Sequence, residues 1–200
     1  MHTLELFDRN PTHAANVLEG FRYQPALIDS GYEKEVLRRV RDLPFREFEF
    51  HGYLGKRRIV SFGWRYRYSG AGKLEKADEI PEFLFQVRSL AAAFADLEPA
   101  MLEQVLITEY AAGAGIGWHR DKPVFDRVVG ISLLAPCILR FRRKAGAQVK
   151  GARASWERTS IKVEPRSAYL LTGPARAEWE HSISAMDELR YSITFRSLRQ

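Results

Sequence analysis

The sequence predicts an α+β chain that is mainly β, with two helices ahead of an antiparallel β sandwich or barrel. Three observations support this prediction: helical periodicity in two segments before residue 100, a succession of short β-prone segments after residue 104, and enough apolar residues for one core. The 200 residues are 46% hydrophobic and 12% aromatic. That length suits one sizeable domain and is too short for two ordinary domains, so we expect a single domain over residues 1–200.

Apolar residues at three- and four-residue spacings mark the two helices. The first series consists of Val36, Leu37, Val40 and Leu43. Pro44 should end this helix, because proline disrupts a helix interior. The second series follows Pro81, which stands at a first-turn position. It consists of Phe83, Leu84, Val87, Leu90, Ala91 and Phe94. Both amphipathic helices should pack on a sheet.

The β-prone segments are separated by glycine, proline and charged turns, which is typical of an antiparallel sandwich or barrel. They are QVLITEYAAG, RVVGISLLA, CILRFRR, ERTSIKVEP, SAYLLTG and LRYSITFRSL. Alternation along the last segment puts its polar residues on one face and its apolar residues on the other. The polar face consists of Arg190, Ser192, Thr194 and Arg196, and the apolar face of Leu189, Tyr191, Ile193 and Phe195.

Composition narrows the class of protein. The net charge is +6 at pH 7, which favours polyanionic partners without requiring them. No apolar run is long enough to span a bilayer, and the N-terminal residues lack the basic start and apolar core of a secretory signal. We therefore expect a cytoplasmic monomer that does not bind membranes. The single cysteine, Cys137, lies in an apolar run and is predicted to be a buried structural thiol.

The segment GWHRDKP contains His119 and Asp121 two places apart. Such a pair also occurs by chance, so a metal site needs a third ligand. Two histidines and one carboxylate leave three adjacent positions open on a non-haem Fe(II) ion, enough for a bidentate cosubstrate and O₂. His181 is the candidate in the β-rich half. The other histidines, predicted to be solvated, are His2, His13 and His51.

The two arginines on the polar face of LRYSITFRSL suggest an anion site. A small dicarboxylate held against a metal needs a bidentate guanidinium at its far end and more positive charge near its chelating end. Arg190 and Arg196 fit that need, although a solvated strand face would give the same alternation.

Three segments together resemble the AlkB family of Fe(II)- and 2-oxoglutarate-dependent dioxygenases. They are ITEYAAGAGIGWHRD, GPARAEWEHSI and RYSITFR, in the family's order. FRYQPALID and GKRRIVSFGWRY resemble the family's opening segment and part of its substrate lid. The resemblance implies a double-stranded β-helix, or jelly roll, with N-terminal helices packed on one face and a substrate-lid hairpin. Residues 1–100 would form the N-terminal extension, lid and supporting helices, and residues 101–200 the dioxygenase core.

The resemblance also implies a site that uses Fe(II), 2-oxoglutarate and O₂. Iron would be bound by His119, Asp121 and His181. Arg190 would bind the distal carboxylate of 2-oxoglutarate, and Arg196 would lie near its chelating end. The further cosubstrate residues would be Thr108, Tyr110, Ser192 and Thr194.

Three positions depart from the DNA-repair members of that family. Thr108 and Ser192 replace asparagines, and both can still donate hydrogen bonds to the cosubstrate. Pro123 replaces an acidic residue that contacts the target base. Proline has no side-chain acceptor, so recognition of a base amino group by that route is lost.

Two basic stretches are candidates for substrate binding. GKRRIVSFGWRYRY interleaves cations with aromatic rings, a combination that suits a single-stranded or flipped-out nucleotide. Its candidate residues are Arg57, Arg58, Trp64 and Tyr66. The alternative is a hairpin whose aromatic face, from Phe62 to Tyr68, packs on the core. In the second stretch, LRFRRKAGAQVKGAR, Arg142 or Arg143 could lie beside the mouth of the site.

The leading prediction is therefore oxidative demethylation of alkylated nucleic-acid bases, as in DNA repair. A second hypothesis keeps the same chemistry but acts on a protein side chain, a free nucleotide or a small metabolite. It is favoured by Pro123 and the two replaced asparagines. A third, a nucleic-acid-binding jelly roll without catalysis, is disfavoured by the three candidate ligands and the two arginines.

Overall fold

The computed structural model describes residues 18–50, 53–67, 72–145 and 155–199. Several residues considered above lie outside these ranges. They are His2, His13, His51 and Tyr68, together with residues 146–153 at the end of the second basic stretch.

Strands dominate the described residues and only three α-helices interrupt them. In chain order the elements are β1 (Phe21–Gln24), α1 (Ser30–Val40), β2 (Arg46–Phe50), β3 (Tyr53–Phe62), β4 (Trp64–Arg67), β5 (Lys73–Lys76), α2 (Phe85–Phe94), β6 (Gln104–Tyr110), β7 (Ile116–His119), β8 (Phe125–Leu133), β9 (Cys137–Lys144), β10 (Trp156–Val163), β11 (Ala168–Leu171), α3 (Gly173–Ala177), β12 (Glu180–Ile183) and β13 (Arg190–Leu198).

The strands form three antiparallel sheets. The largest has seven strands in the order β1-β11-β8-β13-β6-β3-β2, and a second has four in the order β10-β9-β12-β7. The third is the hairpin β4-β5. An apolar cluster with side chains from both larger sheets fills the space between them. Its members include Val128, Tyr169 and Leu171 from the seven-stranded sheet, and Leu139, Phe141, Ile161 and Ile183 from the four-stranded sheet.

The helices cover the outer face of the seven-stranded sheet, as predicted. Asp29 caps α1, because its carboxylate accepts a 2.8 Å hydrogen bond from the backbone N–H of Tyr32. A second apolar cluster joins both helices to β6, β8 and β13. It includes Val36, Leu37, Val40, Val87, Ala91, Val105, Ile107, Val129, Ile131, Leu133, Tyr191, Ile193 and Phe195. Each buried Val, Leu or Ile stabilises this packing by roughly 1.5–3 kcal/mol.

Most sequence predictions of secondary structure are confirmed. All six β-prone segments form strands, and both helices are present. Helix α1 ends at Val40, before Leu43, which packs against the helix-side cluster. Pro81 precedes a short 3₁₀ turn, so α2 starts only at Phe85. The sequence patterns did not predict β1, β2, β7 or β12.

Cys137 is a free thiol buried at 5% exposure, which confirms the predicted burial. Among the described residues no helix is both long and apolar enough to cross a membrane.

Candidate active site

Strand β13 supplies one wall of the site, because alternate residues of a strand share a face. Its apolar residues pack under the helices. Its polar residues line the inner face, which points toward the four-stranded sheet. They are Arg190, Ser192, Thr194 and Arg196. The alternation predicted for this segment is confirmed from Arg190 onward, whereas Leu189 precedes the strand and is exposed at 37%.

Arg190 is fully buried in the inner face, and its guanidinium is only partly paired. Its exposure is 0%. Nε donates a 3.0 Å hydrogen bond to Oγ of Ser132, and the guanidinium carbon lies 5.2 Å from the centre of the Tyr110 ring. Nη1 and Nη2 have no hydrogen-bond partner in the described part of the chain. A buried charge is costly without a partner. The position therefore fits a carboxylate bound through two parallel hydrogen bonds.

A row of hydroxyl groups crosses the inner face beside Arg190. Ser192 pairs in register with Thr108 on one side and with Ser132 on the other. All three are buried, with exposures of 3%, 4% and 0% respectively. Hydroxyl groups donate and accept hydrogen bonds. This row can therefore contact the oxygen atoms of a small acid. Thr194 follows on the same face, opposite Gly130.

Two short strands of the four-stranded sheet supply the other end of the site. His119 ends β7 and lies directly opposite His181 of β12. Their ring centres are 4.2 Å apart. Nδ1 of His119 is 2.8 Å from the carbonyl oxygen of Gly117. Because a carbonyl only accepts, Nδ1 carries the proton and Nε2 keeps its lone pair for a cation. The GWHRD segment is thus the end of a paired strand and not an isolated turn.

Asp121 follows β7 and lies between an arginine and a histidine. Oδ1 accepts a 3.0 Å hydrogen bond from Nε of Arg196, and Oδ2 is 3.6 Å from Nε2 of His181. Arg196 also donates a 2.8 Å hydrogen bond from Nη1 to Gln104, which fixes its orientation. Burial alone would raise the pKa of Asp121. The charge of Arg196 is the largest effect opposing burial, and together with its hydrogen bond it helps to keep that pKa below its usual range.

Both histidines are neutral near pH 7. Burial, with His119 acting in the same direction, lowers the pKa of His181 to about 3. Burial is also the largest cause of the lowered pKa of His119. Neutral imidazole is the form that binds a metal. Nδ1 of His181 is buried and has no partner within the described ranges.

These side chains fit an iron ion by donor type and charge. Two neutral imidazoles and one ionised carboxylate are the ligands of the two-histidine, one-carboxylate iron sites. His181 is the shared neighbour, adjacent to both His119 and Asp121. No three His, Cys, Asp or Glu side chains of the described residues stand close enough to form a finished metal site. The three side chains are therefore suitable ligands for a cation, but they would have to move closer together to coordinate it.

The order of these residues along the chain matches a known family. The family model described as "2OG-Fe(II) oxygenase superfamily" matches residues 23–196, which include every site residue named above. The chain belongs to the 2OG-Fe(II) oxygenase superfamily. Fe(II), 2-oxoglutarate and O₂ are typical of this superfamily.

Two curated relatives are similar to this oxygenase in sequence. The chain is 27% identical over 165 residues to the alkylated DNA repair protein ALKBH8 homolog of Arabidopsis thaliana, covering 74% of this chain and 48% of that relative. It therefore spans about half of that relative's length. It is 24% identical over 200 residues to the uncharacterized protein L905 of Acanthamoeba polyphaga mimivirus, covering 92% of this chain and 87% of that protein.

Two solved structures share the fold of this oxygenase. OsALKBH1 superposes with a TM-score of 0.63 at 16% identity, covering 89% of this chain and 98% of that chain. An oxidoreductase of the 2OG-Fe(II) oxygenase family from Burkholderia pseudomallei superposes with a TM-score of 0.58 at 14% identity, covering 90% and 86%. The predicted AlkB-like class and the mainly β jelly-roll fold are confirmed.

Arg57 lies on the inner face of the oxygenase sheet. It pairs in register with Tyr110, and it is close enough for its charge to act on His119. Its guanidinium carbon lies 3.8 Å from the centre of the Phe48 ring. The structure therefore brings Arg57 to the edge of the candidate site.

Arg58 lies on the opposite, helix-covered face, because neighbouring residues of a strand point in opposite directions. Its Nε and Nη2 donate hydrogen bonds of 2.7 and 2.9 Å to the two carboxylate oxygens of Glu109. Glu109 also accepts a 2.9 Å hydrogen bond from the hydroxyl of Tyr191. The structure does not bring Arg58 to the site with Arg57, and its bidentate pairing gives it a structural role.

Trp64 and Tyr66 share one face of β4, and both are half-buried. Nζ of Lys76 lies 4.0 Å from the centre of the Trp64 ring. Nζ of Lys122 lies 5.0 Å from the centre of the Tyr66 ring. Because Lys122 follows Asp121 in the chain, Tyr66 lies near the metal end of the site. Of the aromatic face, Phe62 is core at 7% exposure, while these two rings keep part of their surface exposed.

The hairpin β4-β5 is less basic than its first strand suggests. Arg65 and Arg67 lie on its exposed side, and both pair with Glu75 of β5, at 3.5 and 3.0 Å. The hairpin's action as a substrate lid stays a prediction.

Arg142 and Arg143, expected at the mouth of the site, are both held by acidic partners. Arg142 donates a 2.6 Å hydrogen bond to Glu180, and its guanidinium carbon lies 4.5 Å from the ring centres of both Trp118 and Trp156. Arg142 and Glu180 are a register pair adjacent to the inward-facing pair of Phe141 and His181, so Arg142 points outward. Arg143 pairs with Glu157 and Glu178 at 2.9 and 2.8 Å. The position of either arginine beside the mouth of the site stays a prediction.

Two residues of the site were missed in the sequence. Ser132 holds Arg190, and Gln104 holds Arg196. Ser132 is a lone hydroxyl in the apolar run RVVGISLLA. A polar residue in a buried strand needs a partner, and that signal could have identified it. Gln104 starts a strand, and only the pairing of β6 with β13 shows its role.

Proposed function

We propose that the protein is an Fe(II)- and 2-oxoglutarate-dependent dioxygenase that removes alkyl groups from nucleic-acid bases by oxidation. One observation carries the proposal. A buried guanidinium with two unpartnered nitrogen atoms lies at one end of the inner face, and two neutral histidines beside an ionised carboxylate lie at the other. The first end suits a carboxylate and the second a divalent cation, so a keto dicarboxylic acid can bridge them.

Each residue has a defined part in this proposal. His119, Asp121 and His181 hold Fe(II), and Arg190 binds the distal carboxylate of 2-oxoglutarate. Arg196 orients Asp121 and places positive charge near the chelating end. The hydroxyl groups that contact the cosubstrate belong to Thr108, Tyr110, Ser192 and Thr194.

The bound iron and 2-oxoglutarate would supply the activation of O₂ that oxidises a substrate C–H bond, with release of succinate and CO₂. Oxidation of an N-methyl group gives a hemiaminal that loses formaldehyde. The chain therefore needs no nucleophile and no general base. Its residues position the reactants, and the apolar side chains between the sheets exclude water.

An alkylated base is the substrate class best supported. The Arabidopsis relative is named as an alkylated DNA repair protein, and this chain carries a net charge of +6. Arg57 stacks on Phe48, and Lys122 lies over the ring of Tyr66 beside the metal end. Cations beside aromatic rings suit a phosphate backbone and an unstacked base.

One observation favours a second candidate, the same chemistry on a protein side chain, a free nucleotide or a small metabolite. Pro123 is exposed and offers a base no side-chain acceptor. Its carbonyl oxygen accepts a 3.4 Å hydrogen bond from Nη2 of Arg176.

A cosubstrate-turnover screen tests the proposal. Succinate and formaldehyde would be measured with alkylated single-stranded DNA, duplex DNA, RNA, free nucleotides and peptides, beside a His181→Ala control. We expect equal amounts of both products with a single-stranded nucleic acid and none with the control. Turnover with only free nucleotides or peptides would support the second candidate. Absence of iron-dependent turnover with every substrate would contradict both.

A further inference from the structure

The ring of Tyr169 occupies a space that is open only because residue 130 is glycine. The two residues are register partners in β11 and β8. A Cβ atom on Gly130 would lie 2.2, 2.4 and 2.5 Å from Cζ, Oη and Cε1 of Tyr169. Such distances are far inside van der Waals contact. The phenol ring therefore lies directly over the backbone of β8, where a side chain of any other residue would stand.

The glycine is explained by space and not by backbone conformation. Gly130 lies in the middle of a regular strand, and its φ is not positive. Glycine inside a strand is unfavourable by roughly 0.5–1 kcal/mol relative to alanine, and it often marks a close approach by another group. Here the group that approaches is the ring of Tyr169.

The ring extends toward the middle of the proposed cosubstrate site. On its other side Gly130 pairs with Thr194 of β13. Along that strand, Thr194 lies between Arg190 at one end and Arg196, which holds Asp121, at the other. Tyr169 is buried at 7% exposure. Burial raises the pKa of its phenol above the usual range, and the charges of Arg190 and Asp121 both act on it.

We propose that Tyr169 is a positioning and specificity residue for the cosubstrate, and that it forms the wall along the carbon chain between the two ends of the acid. This inference rests on the proposed function, because it assumes that Arg190 and the metal hold the two ends of 2-oxoglutarate. With both ends fixed, the wall decides how many methylene groups fit between them. Gly130 is the residue that gives the wall its position.

The test measures binding and not turnover. Dissociation constants for 2-oxoglutarate and for 2-oxoadipate, which is one methylene longer, would be measured by calorimetry with Mn²⁺ in place of iron. The proteins are the wild type, Tyr169→Leu, Gly130→Ala and the double variant. Tyr23→Phe is the control, because Tyr23 is the register partner of Tyr169 on β1 and its hydroxyl accepts a 3.1 Å hydrogen bond from the backbone of Glu164.

Tyr169→Leu should weaken 2-oxoglutarate binding by about tenfold and shift the ratio of the two dissociation constants toward 2-oxoadipate. Gly130→Ala should also weaken binding, because its methyl group displaces the ring. In the double variant the alanine should add little, because the ring that it would strike is absent. Tyr23→Phe should bind both acids within about twofold of the wild type.

A merely structural role for the Tyr169–Gly130 contact would lower stability without changing the ratio for the two acids. An unchanged ratio in folded variants, checked by cooperative thermal unfolding, would overturn the inference. Should Tyr169→Leu fail to fold, Gly130→Ala carries the same test, because it displaces the ring without removing it. A wild type that binds Mn²⁺ but neither acid would overturn the proposed function together with this inference.

Discussion

The same strands form both faces of the seven-stranded sheet, but the buried polar groups of the two faces differ in how completely they are hydrogen-bonded. On the helix-covered face, the carboxylate of Glu109 accepts hydrogen bonds from Arg58 and Tyr191. The unpartnered buried atom on that side of the described structure is the neutral hydroxyl of Tyr32. The inner face leaves two nitrogen atoms of the charged Arg190 without partners. Buried polar groups are almost always hydrogen-bonded, so the unpaired charge supports the proposal that a ligand binds on the inner face.

This difference separates residues that are neighbours in the sequence. Arg57 and Arg58 lie on opposite faces of β3, and Arg190 and Tyr191 lie on opposite faces of β13. One member of each pair lies on the face of the candidate site, and the other lies on the helix-covered face. Variants of adjacent residues should therefore have different consequences.

The largest expected effect is at the metal end of the inner face. Each of His119→Ala, Asp121→Ala and His181→Ala should abolish Fe(II)-dependent turnover of 2-oxoglutarate, because each removes a proposed iron ligand. Succinate release measures the loss, and circular dichroism should show that the fold is kept. A purified His181→Ala protein that turns over at the wild-type rate would refute the ligand assignment.

The next largest effect is at the carboxylate end. Arg190→Lys keeps the charge but loses the planar fork, so the KM for 2-oxoglutarate should rise by about 10-fold or more. Arg58→Lys is the matched control on the other face and should leave this KM unchanged. If Arg190→Lys left the KM unchanged, the carboxylate anchor would lie elsewhere, and Arg196 would be the next candidate.

A smaller effect is expected on nucleic-acid binding, where substitution of Arg57 should matter and substitution of Arg58 should not. Arg57→Ala should weaken binding of a single-stranded oligonucleotide and reduce the log–log salt slope by about 0.7, because it removes one phosphate contact. Arg58→Ala should leave the slope unchanged, and Trp64→Ala should weaken binding without changing the slope. Filter binding between about 50 and 200 mM salt measures both quantities. Changes below about twofold in Arg57→Ala and Trp64→Ala would remove this segment from the proposed substrate surface.

The smallest effect is expected at Glu109 on the helix-covered face, where Arg58 and Tyr191 donate hydrogen bonds to the carboxylate. Hydrogen bonding to Arg58 is the largest cause of the lowered pKa of Glu109. A carboxylate with a lowered folded-state pKa stabilises the fold above its usual pKa, and that contribution is lost as pH falls through the lowered value. Glu109→Gln should therefore cost about 1 kcal/mol near pH 7.

Urea unfolding measured from neutral to acidic pH tests this prediction. The gap between the wild type and Glu109→Gln should shrink as the carboxylate of the wild type becomes protonated. The KM for 2-oxoglutarate should stay the same in both proteins near pH 7. A gap that widens in acid would contradict the assigned direction of the pKa shift.

Much of the fold could be predicted from the sequence, because strand alternation and helical periodicity are local patterns. The segment LRYSITFRSL shows this well, since its two faces separate in the structure as its alternation requires. Strands β7 and β12 were missed. Each is only four residues long, and each is recognisable mainly through its pairing with a partner distant in the sequence.

The candidate site was predictable in its residue types and less so in its contacts. The order of GWHRD, EHSI and RYSITFR pointed to His119, His181 and Arg190. The basic stretches were less informative about contacts, because charge in a sequence does not show which acid will neutralise it. Arg142 forms its ion pair with Glu180, and Arg58 with Glu109, because strands that are distant in the sequence lie side by side in the sheet.

The pairing of β7 with β12 also affects the local stability of the candidate site. Strand β7 is the edge of the four-stranded sheet, and its register with β12 shifts between His181 and Ile183. Edge strands with irregular pairing are the first to open locally. A cation bound to His119 and His181 would act as a cross-link between this edge and the interior of the sheet. Loss of the metal would then loosen the wall of the site itself, and amide exchange in residues 116–119 should accelerate while that of β13 stays slow.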